Sequence, residues 1–450
     1  MAKFGLLSFL VCSCIIINAA LPAQAQTASK VSKLSKTDPL NTVLLQGFNW
    51  QAAKSSSPWY NVLKGIVEDA ADAGITDVWF PPPSQSHPNG PEGYLPQRLY
   101  DLNSNYGSEQ ELRDAVDAFH QKGIGCVSDI VINHRCGTKQ DDKGMWCVFE
   151  GGAEDGRLDW GPWAVCVNDN PYTCGSGQAD TGGNFTGAPD IDHTNPAIQA
   201  NLSEWMNWLK SHVGFDGWRF DFALGYEGKL LGIYAENTNP EFAVGEVWDP
   251  VANGSDGRIA YDQDAHRQRL VDWVHSTGDR ATTFDFTTKG ILQEAVKSNE
   301  LWRLKDSNGK PSGLIGVLPQ KAVTFIDNHD TGSTQQNTWP FPPDKLILGY
   351  AYILTHPGIP TIFYDHFVGN MKTEIKNLTA IRKRNNINAN SNCRIITAEG
   401  DLYMAAIDEK IVMKIGARYD VGNLAPPSPD FSIVTAGIDY CVWEKKSSSP

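Results

Sequence analysis

Eight short apolar runs alternate with eight helix-period segments along this chain, and that alternation limits its possible folds more than any other feature. The runs cover residues 43–48, 76–80, 126–132, 215–221, 242–247, 283–286, 322–326 and 360–364. Amphipathic segments lie at 59–73, 108–122, 196–212, 227–237, 262–276, 287–298, 344–355 and 372–384. Near-continuous apolar strands suit a parallel sheet buried on both faces. Eight such units in strict order predict an α/β protein built on a closed (β/α)8 TIM barrel rather than an open sheet.

Local signals support the helices. Ser108 and Glu111 form a capping box ahead of Leu112, Ala115, Val116 and Phe119, and Gly123 stands where that helix would stop. Asn195-Pro196 supplies an N-cap and a first-turn proline before Ile198, Leu202, Trp205, Met206 and Leu209. Two regions break the rhythm. Residues 135–195 hold eight Asp, eleven Gly and four Cys without a long periodic segment. A structureless loop of that length is improbable in a compact protein, so this stretch is expected to be a small inserted domain after strand 3. Beyond residue 386 the pattern turns to alternating strands at 394–397, 402–407, 410–415 and 440–443, with Asp408-Glu409 as a turn. The expected division is therefore a barrel over 41–134 and 196–385, an insertion over 135–195 and a C-terminal antiparallel β-sheet domain over 386–450.

The N-terminus reads as an export signal over 1–25: Lys3, an apolar stretch at 4–17 and the A-x-A site Ala23-Gln24-Ala25. Residues 26–40 read as a loose leader. The apolar stretch is too short to span a bilayer comfortably. Secretion is expected, with an organelle lumen left open, no membrane association, and a monomer. The net charge of −14 argues against nucleic acid as a partner. Seven cysteines follow the signal, four of them within 40 residues, and no CxxC pair occurs. One or two disulfides are expected, with at least one free thiol, and zinc is not.

Four segments place charged groups at the C-terminal ends of predicted strands: Asp129 to His134, Trp218 to Asp221, Gly245 to Trp248, and Asp327-Asn328-His329-Asp330. Barrel enzymes build active sites on that face. One acidic residue there can merely end a strand, but four such clusters on one rim are hard to explain as structure alone. Glycosidic cleavage needs an acid for the leaving oxygen and a carboxylate facing the anomeric carbon. Arg219 and Asp221 are two apart on a strand and share a side, and a neighbouring guanidinium keeps a carboxylate ionised. Glu246, one strand over among like charges, is expected to hold a raised pKa suited to a general acid. Adjacent strands can bring two such groups to the roughly 5–5.5 Å of a retaining pair.

These segments resemble the signature regions of the α-amylase family of glycoside hydrolases, and of its plant-type members in particular. The likeness runs from about residue 43 to 446 and includes Gly47-Phe48-Asn49-Trp50, Leu158-Asp159-Trp160-Gly161-Pro162, residues 261–268, residues 284–290 and residues 350–360. It implies endo-hydrolysis of internal α-1,4 bonds in starch, glycogen and related α-glucan polysaccharides by retaining double displacement. Asp221 would be the nucleophile, Glu246 the acid/base, and Asp330 would bind sugar hydroxyls. His134, His329 and Arg219 would serve the sugar in the cleaved position, Tyr94 would stack on it, and Trp248 would border the next sugar on the leaving side. The insertion would be a calcium-binding domain, with Ca2+ held by Asn133, Asp180, Asp190 and the carbonyls of Gly183 and Gly225. Asp169 matches a ligand of a neighbouring site, where the family's usual Asp is replaced by Asn184; Glu150 and Asp155 lie near a third. A transglycosylase or exo-acting relative remains open and would differ in product pattern. A non-catalytic glucan-binding protein would lack a carboxylate of the trio, and a metal-dependent hydrolase would need a nitrogen-rich strand end that the sequence does not contain.

Overall fold

The structure is a computed structural model and describes residues 38–332 and 339–446. The proposed signal and most of the leader lie outside the described residues. All eight apolar runs become strands of one closed parallel barrel. In chain order the strands are β1 (Leu44–Gln46), β2 (Asp77–Phe80), a small hairpin of β3 (Gln85–Ser86) and β4 (Pro96–Arg98), then β5 (Gly125–Ile130), β6 (Gly217–Phe220), β7 (Phe242–Gly245), β8 (Thr282–Phe284), β9 (Ala322–Thr324) and β10 (Ile359–Phe363). Around the barrel the order is β1-β10-β9-β8-β7-β6-β5-β2. Registers such as Asp129 beside Arg219 and Arg219 beside Val244 set which side chains share the interior. β6 and β7 are buried at every position, as their near-continuous apolar sequence demands.

The helices pack outside. They are α1 (Trp59–Lys64) and α2 (Val67–Asp72), α3 (Glu109–His120), α4 (Pro196–Trp208), α5 (Gly228–Thr238), α6 (Asp264–Ser276), α7 (Phe286–Ser298), α8 (Leu346–Thr355), α9 (Tyr364–Val368) and α10 (Lys372–Arg384). The segment expected as one helix at 59–73 is broken between α1 and α2, where Gly65 interrupts it. The capping box at Ser108 and the Asn195 cap both form. No helix among the described residues is long and apolar enough to cross a membrane.

Between β5 and α4 the chain forms a compact excursion. It is stitched by isolated bridges such as Phe149 with Trp160 and Val165 with Ile191, and by the disulfide Cys147–Cys174. Arg135 organises its base. The buried guanidinium donates to the carbonyls of Gln97, Leu158 and Glu150 at 2.9, 2.8 and 2.7 Å, and lies over the rings of Phe149 and Trp160. Among the described residues Cys126, Cys136, Cys166, Cys393 and Cys441 are free thiols.

The tail is a five-stranded antiparallel sheet of order β11-β12-β13-β15-β14, made of β11 (Cys393–Ala398), β12 (Tyr403–Ile407), β13 (Ile411–Ile415), β14 (Phe431–Gly437) and β15 (Tyr440–Lys445). The sequence pattern indicates four of these strands. It misses β14, an edge strand exposed along most of its length, whose Ser, Thr and Gly weaken the alternating signal. Asp408 and Glu409 both take positive φ (50° and 56°), as a tight hairpin turn between β12 and β13 requires. His356 closes the seam to the barrel by bonding Tyr403 Oη at 2.8 Å.

Candidate active site

Strand ends deliver the charged groups to one rim. Asp221 follows β6 and Glu246 follows β7. Their backbones stay paired: Asp221 N donates to Ile130 O at 3.0 Å and Glu246 N to Phe220 O at 3.0 Å. Arg219 points from β6 into the barrel and is fully buried. Its Nη1 donates to Asp221 Oδ1 at 2.7 Å and to Asp129 Oδ1 at 2.8 Å, and its Nη2 stands 2.7 Å from Glu246 Oε1. One guanidinium therefore bridges the two carboxylates named as nucleophile and acid. Asp129, although part of a segment singled out in the sequence, carried no assigned role. It is fully buried and also accepts from Tyr94 Oη at 2.9 Å and Trp79 Nε1 at 3.1 Å, so it anchors the guanidinium from the barrel side.

Phe222 is a second residue that pattern reasoning misses. Its φ of 43° lies in the left-handed region, which bulky side chains rarely adopt. That conformation aims its N–H at Glu246 Oε2, 3.1 Å away. Strain at a residue between two functional groups is retained where the surroundings over-determine it.

The carboxyls of Asp129, Asp221 and Glu246 contact the single Arg219 guanidinium, and Asp330 lies close enough to feel its charge. Burial pushes the Glu246 carboxyl up, with Arg219 opposing and Asp221 adding to the rise. Asp330 is pushed well above the ordinary carboxylate range by burial and by the charge of Glu246. Asp129 is raised to about 7 by burial, against Arg219. Asp221 lies above the ordinary carboxylate range despite its neighbouring guanidinium. Burial raises its carboxyl as well, and Arg219 offsets that rise without reversing it. One cation offsets the desolvation of four carboxylates only in part, so all four lie above the ordinary carboxylate range.

Around the carboxyls stand the remaining sequence candidates. His329 takes a hydrogen bond from Gln46 Nε2 on Nδ1 at 2.8 Å, and its Nε2 lies 3.2 Å from Asp330 Oδ2. Burial, helped by Arg219, holds the pKa of this imidazole well below its ordinary value. His134 Nε2 bonds the Tyr94 carbonyl at 2.8 Å, its ring stacks on Phe185 at 3.7 Å, and burial lowers its pKa to about 4. Tyr94 lies parallel to Trp50 and stacks with His329 at 5.2 Å. Trp248 stacks on Phe286 at 5.2 Å and lines an open cavity of about 420 Å³ with Asp249, Val251, Asn253, Ile259 and Trp339.

Of the proposed cation ligands, Asn133, Asp169 and Asp190 come together. Asn133 donates through Nδ2 to Asp190 Oδ1 at 2.9 Å, and Asp190 N donates to Asp169 Oδ2 at 3.0 Å. Asp169 thus stands against Asp190 rather than in a separate cluster. Burial and the charges of Asp169 and Asp180 raise Asp190 to about 7, and burial raises Asp169 to about 6. Asn133 Oδ1 and Asp169 Oδ1 are both buried without a hydrogen-bond partner. Gly183 N donates to Leu224 O at 2.9 Å, and a Cβ on Gly225 would fall 2.0 Å from Asn133 Oδ1. Orphaned amide and carboxylate oxygens crowded against unsubstituted backbone fit a hard cation that takes oxygen ligands. Asp180 caps its own turn, accepting from Gly182 N at 3.2 Å. Of the third group, Glu150 is ion-paired to Arg98 and Lys139, and Asp155 to Arg157, so neither is left free for a cation.

Comparison with known proteins gives concordant results. The family description "Alpha amylase, catalytic domain" matches residues 62–145, and "Alpha-amylase C-terminal beta-sheet domain" matches residues 384–444. A protein of Arabidopsis thaliana named probable alpha-amylase 2 is 46% identical over 406 residues, covering 90% of this chain and 94% of its own. Another from the same plant, named alpha-amylase 3, chloroplastic, is 46% identical over 404 residues and 89% of this chain, which spans 44% of that longer relative. A solved alpha-amylase from Anoxybacillus superposes with a TM-score of 0.62 at 14% identity, covering 92% of this chain and all of that one.

Proposed function

The chain belongs to the α-amylase family of glycoside hydrolases, and from that premise we propose that it cleaves internal α-1,4-glucosidic bonds of starch-like glucans with retention at the anomeric carbon. The observation that carries this reading is the single Arg219 guanidinium joining Asp221 and Glu246. Groups held to one guanidinium can flank one sugar, as a retaining pair must.

In the proposed reaction a glucan lies across the strand ends, with one ring on Tyr94 and between His134 and His329. Glu246, kept protonated by burial, gives its proton to the glycosidic oxygen. Asp221 attacks the anomeric carbon and forms a glycosyl ester as the leaving chain departs with that proton. Glu246, now a carboxylate, takes a proton from an entering water, whose oxygen attacks the same carbon and releases Asp221. Asp330 accepts bonds from sugar hydroxyls, and His329 orients it. Trp248 and its cavity receive the leaving sugars.

Asn133, Asp169, Asp180, Asp190 and the carbonyls of Gly183 and Gly225 would hold calcium. When bound, the ion supplies structural charge that ties the excursion to the barrel beside Phe222. We read residues 135–195 as the inserted domain, 41–134 with 196–385 as the catalytic barrel, and 386–450 as the tail domain. The chain acts as an exported or organelle-lumenal monomer on polysaccharide. The direct test is Glu246→Gln. Turnover of soluble starch should fall by at least about 10²–10⁴-fold, the usual contribution of a positioned acid, with melting temperature unchanged. Substantial residual turnover would remove Glu246 from the acid role.

A further inference from the structure

The cavity beside Trp248 leads to a second feature through its own wall. Ile259 lines the cavity, and its carbonyl accepts from Arg303 Nη1 at 2.9 Å. The same guanidinium is held by Glu300 Oε2 at 2.6 Å and backs the indole of Trp302, 5.0 Å from the ring centroid. Trp302 in turn faces Tyr261, with centroids 5.2 Å apart and planes inclined by 55°. Tyr261 Oη donates to Lys305 O at 2.7 Å. Arg303 is 7% exposed, whereas Tyr261 and Trp302 are each 39% exposed. The buried cation therefore backs Trp302 from within, and both rings remain partly exposed.

A single exposed aromatic needs no explanation. Here Tyr261 is tethered through its hydroxyl and Trp302 is backed by Arg303, which reduces the rotamer freedom that binding would otherwise cost. Rings of this kind offer rigid apolar surface beside a polar handle. That combination matches the C–H face and hydroxyl edge of a pyranose. Asp264, with a largely exposed side chain, adds a carboxylate acceptor near Tyr261, while Asp306 is buried and engaged with Arg267 and the N–H groups of Asn308 and Lys310. Inclined planes suit a curved chain of successive sugars better than a flat one.

We propose that Tyr261 and Trp302 form a second docking platform for an α-glucan chain, continuous through Ile259 with the Trp248 side of the cleft. This rests on the glucan-hydrolase reading above. Two linked contacts on one polymer raise the effective concentration of the second, so long chains gain and short oligosaccharides do not.

The test uses the full chain in native gels with and without soluble starch, together with turnover of that starch and of a chromogenic maltotrioside. In the Tyr261→Ala/Trp302→Ala double variant, retardation by starch should weaken about tenfold or more, as when one of two linked contacts is removed. KM for starch should rise while maltotrioside turnover keeps its parental rate. Tyr261→Phe with Trp302→Tyr should restore retardation. Unchanged retardation in the double variant overturns the platform, and a parent that still cleaves both substrates leaves the hydrolase reading intact. A parent that cleaves neither overturns both. Should the double variant fail to fold, Tyr261→Ser alone, which leaves the Arg303 packing in place, reads the same retardation, and no change there overturns the proposal.

Discussion

At the scale of residues, the account turns on how one buried guanidinium divides itself among several carboxyls. The proposed mechanism requires Asp221 charged and Glu246 protonated. As pH falls through the Asp221 value the nucleophile is neutralised, and as pH rises through the Glu246 value the acid is lost, so the profile is a bell. Burial lifts both groups above their ordinary values, so the whole bell should lie above the usual carboxylate range near about 4. A kcat/KM profile on soluble starch checks this, and an optimum at or below that range contradicts it. Asp221 and Glu246 were legible in the sequence because each ends an apolar run, and a parallel barrel sends every such end to one face. Asp129 sat in a segment marked for the same reason, but its role depends on cross-strand register with Arg219, which one strand's sequence does not contain. Phe222 left no sequence trace at all, since nothing local marks a phenylalanine for the left-handed region. The rise of the Asp221 carboxyl is not legible in the sequence, because a neighbouring cation is visible there and the depth of burial is not.

At the scale of elements, the segment between β5 and α4 and the turn after β6 meet at the proposed cation cradle. Gly225 is tightly constrained there: a Cβ would also lie 2.6 Å from the Phe222 ring. Gly225→Ala should cost about 1–3 kcal/mol by overpacking and should push the Asn133 amide out of place. Differential scanning calorimetry with and without EDTA separates the two effects. The parent should melt lower in EDTA, because a ligand that binds only the folded state stabilises it, by about 2.7 kcal/mol at a hundredfold excess over Kd. Gly225→Ala should start lower and respond less. A parent indifferent to EDTA would remove the cation from the account. The regular elements were largely readable from periodicity and caps. The failures were instructive in kind: Gly65 splits a helix whose hydrophobic stripe runs on past it, and β14 pairs only along one edge, where packing places few demands on its side chains.

At the scale of the whole molecule, the barrel supplies convergence, the excursion supplies one wall, and the tail sheet closes the seam beneath α8 through His356 and Tyr403. Arg384 adds an ion pair to Glu444, with Nε 2.8 Å from Oε1. None of this by itself dictates stereochemistry. That follows from whether the second carboxylate reaches the sugar directly or through water, and the shared guanidinium favours direct reach. The most direct measurement is proton NMR of soluble starch in the first minutes of hydrolysis, before the anomers equilibrate. New reducing ends should appear as the α-anomer, from chains cut at internal bonds. Reducing ends that appear first as the β-anomer would contradict the account, because they would place a water, not Asp221, against the anomeric carbon.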